Sequence, residues 1–390
     1  MVENFLLGWH TPQDIKNIQY FPGIFLGLPA PAVSKMQMLP CGKRRCPVLD
    51  MARFALYFFR RIRSKMRALL YLSHMRRPPI FPRRFALALL LPLLAASACF
   101  GWGKEGHKMI NRVAMEKLPA DLPAFLHTPQ AIREVEHLGP EPDRWRSPAE
   151  PELSAAQAPE HFIDLEWADA IEPHGLPSNR FDFLRDAYAA SFATQKRQPQ
   201  IAAILLPQHV GLLPWQADEV YERLQADMRG YRARHAAHRN TYGVEQAILY
   251  DIGWLGHYVG DGSQPLHTTL NYNGWIEASN PHDYSRAPGI HARFETAFVQ
   301  ANLREGDIKP LVPQTPRPLV GQPFAAFVTY LRATHQQVDE VYQLDQQGGF
   351  RGAGSAQSRT FTAERLAAGA TMLRDMIVTA WQRSAQSVGE

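Results

Sequence analysis

Two histidine–carboxylate pairs, each four residues apart, constrain this chain more than any other feature. His257 and Asp261 stand in HYVGDGSQPLH, which runs from His257 to His267, and His291 and Glu295 stand in GIHARFETAF. A four-residue spacing puts both side chains on one face only where the backbone is helical. Gly262 can end the first helix, and Pro265 stiffens the loop that follows. His267 then returns to the same region. Imidazole with carboxylate is ligand chemistry that zinc accepts. A single such pair is ordinarily a surface hydrogen bond. Two pairs and an intervening histidine within 39 residues point to more than one metal ion.

Cysteine usage shows why metals would matter to the fold. Cys41, Cys46 and Cys99 all lie in residues 1–101, so the rest of the chain has no disulfide to rely on and must hold together by its core or by metals. Charge divides at the same place. Residues 1–101 carry 15 of the 42 Lys and Arg and 3 of the 37 Asp and Glu, leaving 27 basic and 34 acidic residues in 102–390, a balance of −7. The formal charge of +5 for the whole chain therefore misdescribes its larger part.

From Met75 the sequence reads MRRPPIFPRRFALALLLPLLAASACFG. An arginine-rich start, a short apolar run and then small residues fit a secretory signal peptide over 75–101. The apolar run is short for a membrane span. An uncleaved anchor and a lipidated Cys99 are the two alternatives. Residues 1–74 precede this signal and are expected to be an extension created by a misplaced start codon ahead of Met75. The protein is expected to be secreted or periplasmic, with 102–390 as its mature domain.

Helical periodicity dominates that part. GHKMINRVAMEKL sets Met109, Ile110, Val113, Ala114 and Leu118 on one stripe. Residues 218–235 form a charged amphipathic helix, 244–259 a more apolar and buried one, and 324–344 and 362–384 two more. Strict alternation is scarce, so strands should be rare. Proline-rich stretches at 147–159, 198–214 and 309–323 are expected to be loops. The expected fold is all-α: one compact multi-helix domain.

WGKEGH at 102–107, HFID at 161–164, HYVGDGSQPLH and GIHARFE together resemble the zinc-dependent phospholipase C and fungal single-strand nuclease superfamily (nuclease S-one and P-one type). The resemblance spans nearly all of 102–390. It implies three zinc ions in a mainly helical fold whose mature chain begins with tryptophan. By that likeness Trp102 holds one zinc through its free amine and carbonyl oxygen, together with His107. Asp143, His161, His257 and Asp261 hold a second, with Asp261 bridging to the first. His267, His291 and Glu295 hold the third. Asp143 is also the residue expected to orient the attacking water. A free amine requires cleavage between Gly101 and Trp102.

The activity implied is hydrolysis of a phosphoric ester by zinc-activated water. Glu295 preceded by Phe294, and the absence of cysteine, lean toward phospholipids and a transient contact with a membrane surface. The spacing from Trp102 to His107, and Phe162 and Asp164 as base-binding residues, lean toward single-stranded nucleic acid or nucleotides. The acidic balance does not favour tracking along extended nucleic acid. A stable protein partner is not implied. A non-catalytic, zinc-stabilised surface protein is the reading from a different class. The 95 residues between His161 and His257 exceed the family's usual gap and leave specificity unread.

Overall fold

The computed structural model describes residues 102–386. The segment expected to be a signal peptide (75–101), the expected extension before it (1–74) and all three cysteines lie outside the described residues. Those that are described fall within one compact unit, Pro92–Glu390. They are helical, with two isolated bridges and no strand among them, so the all-α expectation holds. No helix among them is long and apolar enough to cross a membrane.

The helices that position the site are α1 (Gly103–Glu116), α2 (Pro129–Leu138), α3 (Glu141–Arg144), α4 (Leu165–Ile171), α5 (Arg180–Thr194), α6 (Pro207–Val210), α7 (Leu213–Ala236), α8 (Tyr242–Ser263), α9 (Pro323–His335), α10 (Val338–Gln346) and α11 (Ala356–Arg383). Central α8 packs against α7, α11, α1 and α2. The stripe read on α1 is the buried one: Ile110, Val113 and Ala114 are fully enclosed. Local caps fix several starts. Thr128 Oγ1 accepts from Ala131 N, with Pro129 at the first position of α2, which places an oxygen on an otherwise orphaned donor and uses proline where no N–H is needed.

Three expectations need correction. Gly262 does not end its helix: α8 continues to Ser263 and stops where Gln264 turns extended ahead of Pro265. Gly262 is needed instead for closeness, since a Cβ there would lie 3.0 Å from Leu331 and Tyr330 side-chain atoms. The expected helix over 324–344 is two helices, α9 and α10, separated at Gln336 and Gln337. The proline-rich connectors are not plain loops either. Pro151, Pro199 and Pro207 each begin a short helix, because proline is tolerated in a first turn.

Close approach of α1 to α8 is what brings ligands from both helices together. A Cβ on Gly256 would sit 1.9 Å from Asn111 Oδ1, and one on Gly260 would sit 2.9 Å from His107 Nδ1. Asn111 locks the contact by donating from Nδ2 to the carbonyls of Val135 and Gly253, at 2.9 and 3.1 Å.

Candidate metal centre

His257 and Asp261 occupy the last turns of α8 and are fully buried. His107 of α1 stacks on the His257 ring, centroids 4.0 Å apart. Its Nε2 lies 3.4 Å from Asp261 Oδ1, while His257 Nε2 lies 3.3 Å from Asp261 Oδ2. Each oxygen of one carboxylate thus faces a different histidine. Asp143 comes from α3, and His161 ends the 3-10 turn Ala158–His161. Asp143 Oδ1 is 3.8 Å from His161 Nε2 and 4.0 Å from His257 Nε2.

The third group forms at the end of the loop after α8. His267 sits in the 3-10 turn Pro265–His267, and His291 opens a turn that runs into the π-helix Arg293–Phe298 carrying Glu295. His291 Nε2 is 2.8 Å and His267 Nε2 3.4 Å from Glu295 Oε2. A wide π turn is a frequent device at functional sites. Gln264 Nε2 donates to the same Glu295 oxygen at 3.0 Å, fixing the carboxylate.

Four of the five histidines are aimed by the backbone. Nδ1 of His161, His257, His267 and His291 lies 2.8, 2.8, 2.6 and 3.1 Å from the carbonyls of Gln157, Gly139, His161 and Tyr272. A carbonyl only accepts, so each Nδ1 carries the proton and each Nε2 turns a lone pair inward. This is how proteins orient metal-binding imidazoles. The Nε2 atoms of His267 and His291 lie only 3.2 Å apart. Two lone pairs at that distance repel unless a proton or a cation lies between them.

The remaining ligand atoms are orphans. His107 Nδ1 and Nε2, Asp143 Oδ1, His161 Nε2, His257 Nε2, both Asp261 oxygens and Glu295 Oε1 are buried without a hydrogen bond. A buried polar atom left unpaired costs about 1–3 kcal/mol. Eight such atoms in one cluster fit a site that cations would complete. Three buried groups can each hold a metal ion: His107, Asp143 and His257; His161, His257 and Asp261; and His267, His291 and Glu295.

Protonation bears the same mark. Burial pushes His107 down to about 4 and His161 well below the usual imidazole range. Burial opposes charge on His267 too, but Asp261 and Glu295 raise it to about 9. Asp143 is raised to about 7 by burial, with Asp261 and Glu295 adding to the rise. Burial also acts to raise Asp261, yet His257 and His267 outweigh it and hold its carboxyl well below the usual range. Without cations the cluster balances its charge with protons, and metal ions would displace them.

No family model, curated protein or solved structure matches the chain. The centre is therefore defined by its own geometry.

The structure brings His107, Asp143, His161, His257, Asp261, His267, His291 and Glu295 together. Trp102 is beside them and fully buried: its indole Nε1 donates to Ser263 Oγ at 2.7 Å, and its ring meets Phe294 edge-on at 5.2 Å. The start of α1 is thereby pinned to the turn of α8 that holds Asp261.

A cleft of about 320 Å³ borders the cluster. His161, His267 and His291 line it together with Arg146, Phe162, Asp164, His209, Leu266 and Tyr272. Phe162 and Asp164 therefore border the cleft beside the histidine cluster. Burial, with Glu166 adding to it, raises Asp164 to about 8. Arg146, Tyr272 and His209 belong to none of the motifs read in the sequence, yet they line the cleft. The segment between His161 and His257 delivers His209, on α6. Segment 161–165 is stitched on one side to the loop after α8, by Ile163 N to His267 O at 2.9 Å, and on the other to α6, by Asp164 N to Val210 O at 2.7 Å. Gly211 permits the second contact: its φ is +94°, and a Cβ would lie 2.1 Å from the Phe162 carbonyl oxygen.

Proposed function

We propose that the protein is a zinc-dependent phosphoric-ester hydrolase of the phospholipase C and single-strand nuclease kind, acting on phospholipids. The observation that carries the reading is the convergence of eight unpaired buried side-chain atoms, on six candidate ligands, beside an open cleft. Two ligands about 2.0–2.1 Å from one tetrahedral zinc stand about 3.3 Å apart. The separations of 3.2 to 3.4 Å for His107–Asp261, His257–Asp261, His267–Glu295 and His267–His291 suit that spacing.

Three zinc ions are assigned. His107, Asp261 and the amine and carbonyl of Trp102 would hold one. Asp143, His161, His257 and Asp261 would hold a second, and His267, His291 and Glu295 a third. Secretion and cleavage before Trp102 free the amine, since a peptide nitrogen shares its lone pair with the carbonyl. Zinc, when bound, supplies a nucleophilic water near neutral pH and neutralises charge on the phosphate.

The protein's own groups do the rest. Arg146 presents a planar fork of donors in the cleft, suited to phosphate oxygens. Asp143 accepts a hydrogen bond from the attacking water and so orients it. Phe162 and Tyr272 offer aromatic faces to a quaternary ammonium headgroup, and Asp164 adds a carboxylate once it loses its proton as pH rises through about 8.

One observation favours the nucleotide alternative. With its pKa raised to about 8, Asp164 is neutral at pH 7 and offers one donor and one acceptor beside the Phe162 ring. That pairing suits the edge and face of a base. A side-by-side assay of phosphatidylcholine and single-stranded DNA, with metal analysis of the same sample, decides between them. Turnover of neither by the zinc-loaded protein would remove both readings.

A further inference from the structure

We propose that the outer face of α5 docks the protein on an anionic lipid surface. The proposal rests on the phospholipid reading and deepens it by naming where the membrane is met. Helix α5 carries aromatic rings on two sides. Inward, Phe183 stacks on Trp215 with centroids 4.3 Å apart, and Ala187 is buried. Outward, Phe181 and Phe192 are each 78% exposed and Tyr188 54%. Positions 181, 188 and 192 are seven and four apart, so the rings form one stripe along the helix. A solvated helix face is ordinarily polar, and a cluster of exposed rings marks an interaction surface.

The exposure does not come from fraying. Asn179 Oδ1 accepts from Phe181 N at 2.8 Å, and Ser191 Oγ donates to the Ala202 carbonyl at 2.7 Å. Both ends of the helix are tied down.

Charge selects the occupant. Residues 180–197 carry Arg180, Arg185, Lys196 and Arg197 against Asp182 and Asp186, within a part of the chain that is acidic overall. Lys196 and Arg197 follow the end of the stripe, are exposed, and enter no ion pair among the described residues. Aromatic rings beside unpaired cations suit a bilayer interface with anionic headgroups. A second copy would bring the same cations against themselves. Position agrees: α5 packs against α4, which directly follows Asp164, and against α6, which carries His209. Both residues line the cleft.

Sedimentation of the zinc-loaded protein with phosphatidylcholine vesicles, with and without phosphatidylglycerol, tests this. The unaltered protein should bind, more tightly to the anionic vesicles. Phe181→Ser with Phe192→Ser should weaken binding at least about tenfold. Lys196→Gln with Arg197→Gln should weaken it severalfold, on the anionic vesicles only. All should hydrolyse the soluble diester bis-p-nitrophenyl phosphate equally, which shows that the variants are folded. Absence of binding by the unaltered protein, equal binding by the phenylalanine variant, or a dimer that this variant converts to a monomer would overturn the proposal. Vesicle binding without phospholipid turnover would instead remove the phospholipid reading and leave the docking surface standing.

Discussion

From Leu255 to Ser263 every residue of α8 is buried, whereas α5 leaves Phe181 and Phe192 largely in water. The contrast runs against simple expectation, because the buried stretch holds His257 and Asp261 and the exposed one holds aromatic rings. Burying charge without a partner is costly, and exposing large rings forgoes hydrophobic stabilisation. Each departure is intelligible as a place where something else binds. On the proposals above, cations would complete the buried stretch and a lipid surface the exposed one. On the proposed reading, hydrolysis would take place at the α1–α8 contact, and the segment between His161 and His257 would shape access to it.

The comparison breaks most severely at Asp261. Asp261→Asn should lower hydrolysis by about 10³-fold or more, a loss of roughly 4 kcal/mol, and remove more than one zinc ion, since a neutral amide is a poor bridge. His291→Ala should remove mainly one. Full activity in Asp261→Asn would end its assigned role.

Next in size is the packing of α8. Gly256→Ala must displace Asn111 and should cost about 1–3 kcal/mol, read as a lower melting temperature and a lower zinc content. Gly243→Ala in the same helix has nothing within 4 Å of the new Cβ. It should be neutral or stabilising by up to about 1 kcal/mol. Equal effects of the two would show that the α1–α8 contact does not set the site.

Beside the cleft the effect is smaller and turns on pH. Asp164 loses its proton as pH rises through about 8. If the headgroup is a quaternary ammonium, KM should fall across that range, because the carboxylate gains charge toward a cation. With a nucleotide it should rise, because the donor is lost. Asp164→Asn should flatten either profile. A KM that keeps its slope in Asp164→Asn excludes this group as its source.

How much of this was legible depends on how far each contact runs along the chain. The pairs His257–Asp261 and His291–Glu295 were readable because helical geometry links residues four apart. Helices α1, α7 and α8 were readable from their stripes for the same reason. The facing of His107 and Asp261, more than 150 residues apart, was reached only through a motif resemblance, since no local rule brings α1 to α8. Gly262 misled because glycine serves both helix ends and tight crossings, and sequence alone does not say which. Arg146 stands three residues from Asp143, a signal that was present but shared with ordinary surface pairs. His209 gave no signal, because its place depends on backbone bonds between Val210 and Asp164 that no side-chain pattern encodes.

Zinc content per chain tests the central claim most directly. Protein whose mass shows a terminus at Trp102, purified without chelator and measured by elemental analysis, should hold about three zinc ions, and removing them should abolish hydrolysis of bis-p-nitrophenyl phosphate until zinc is restored. Full activity in protein that holds no zinc would contradict the account.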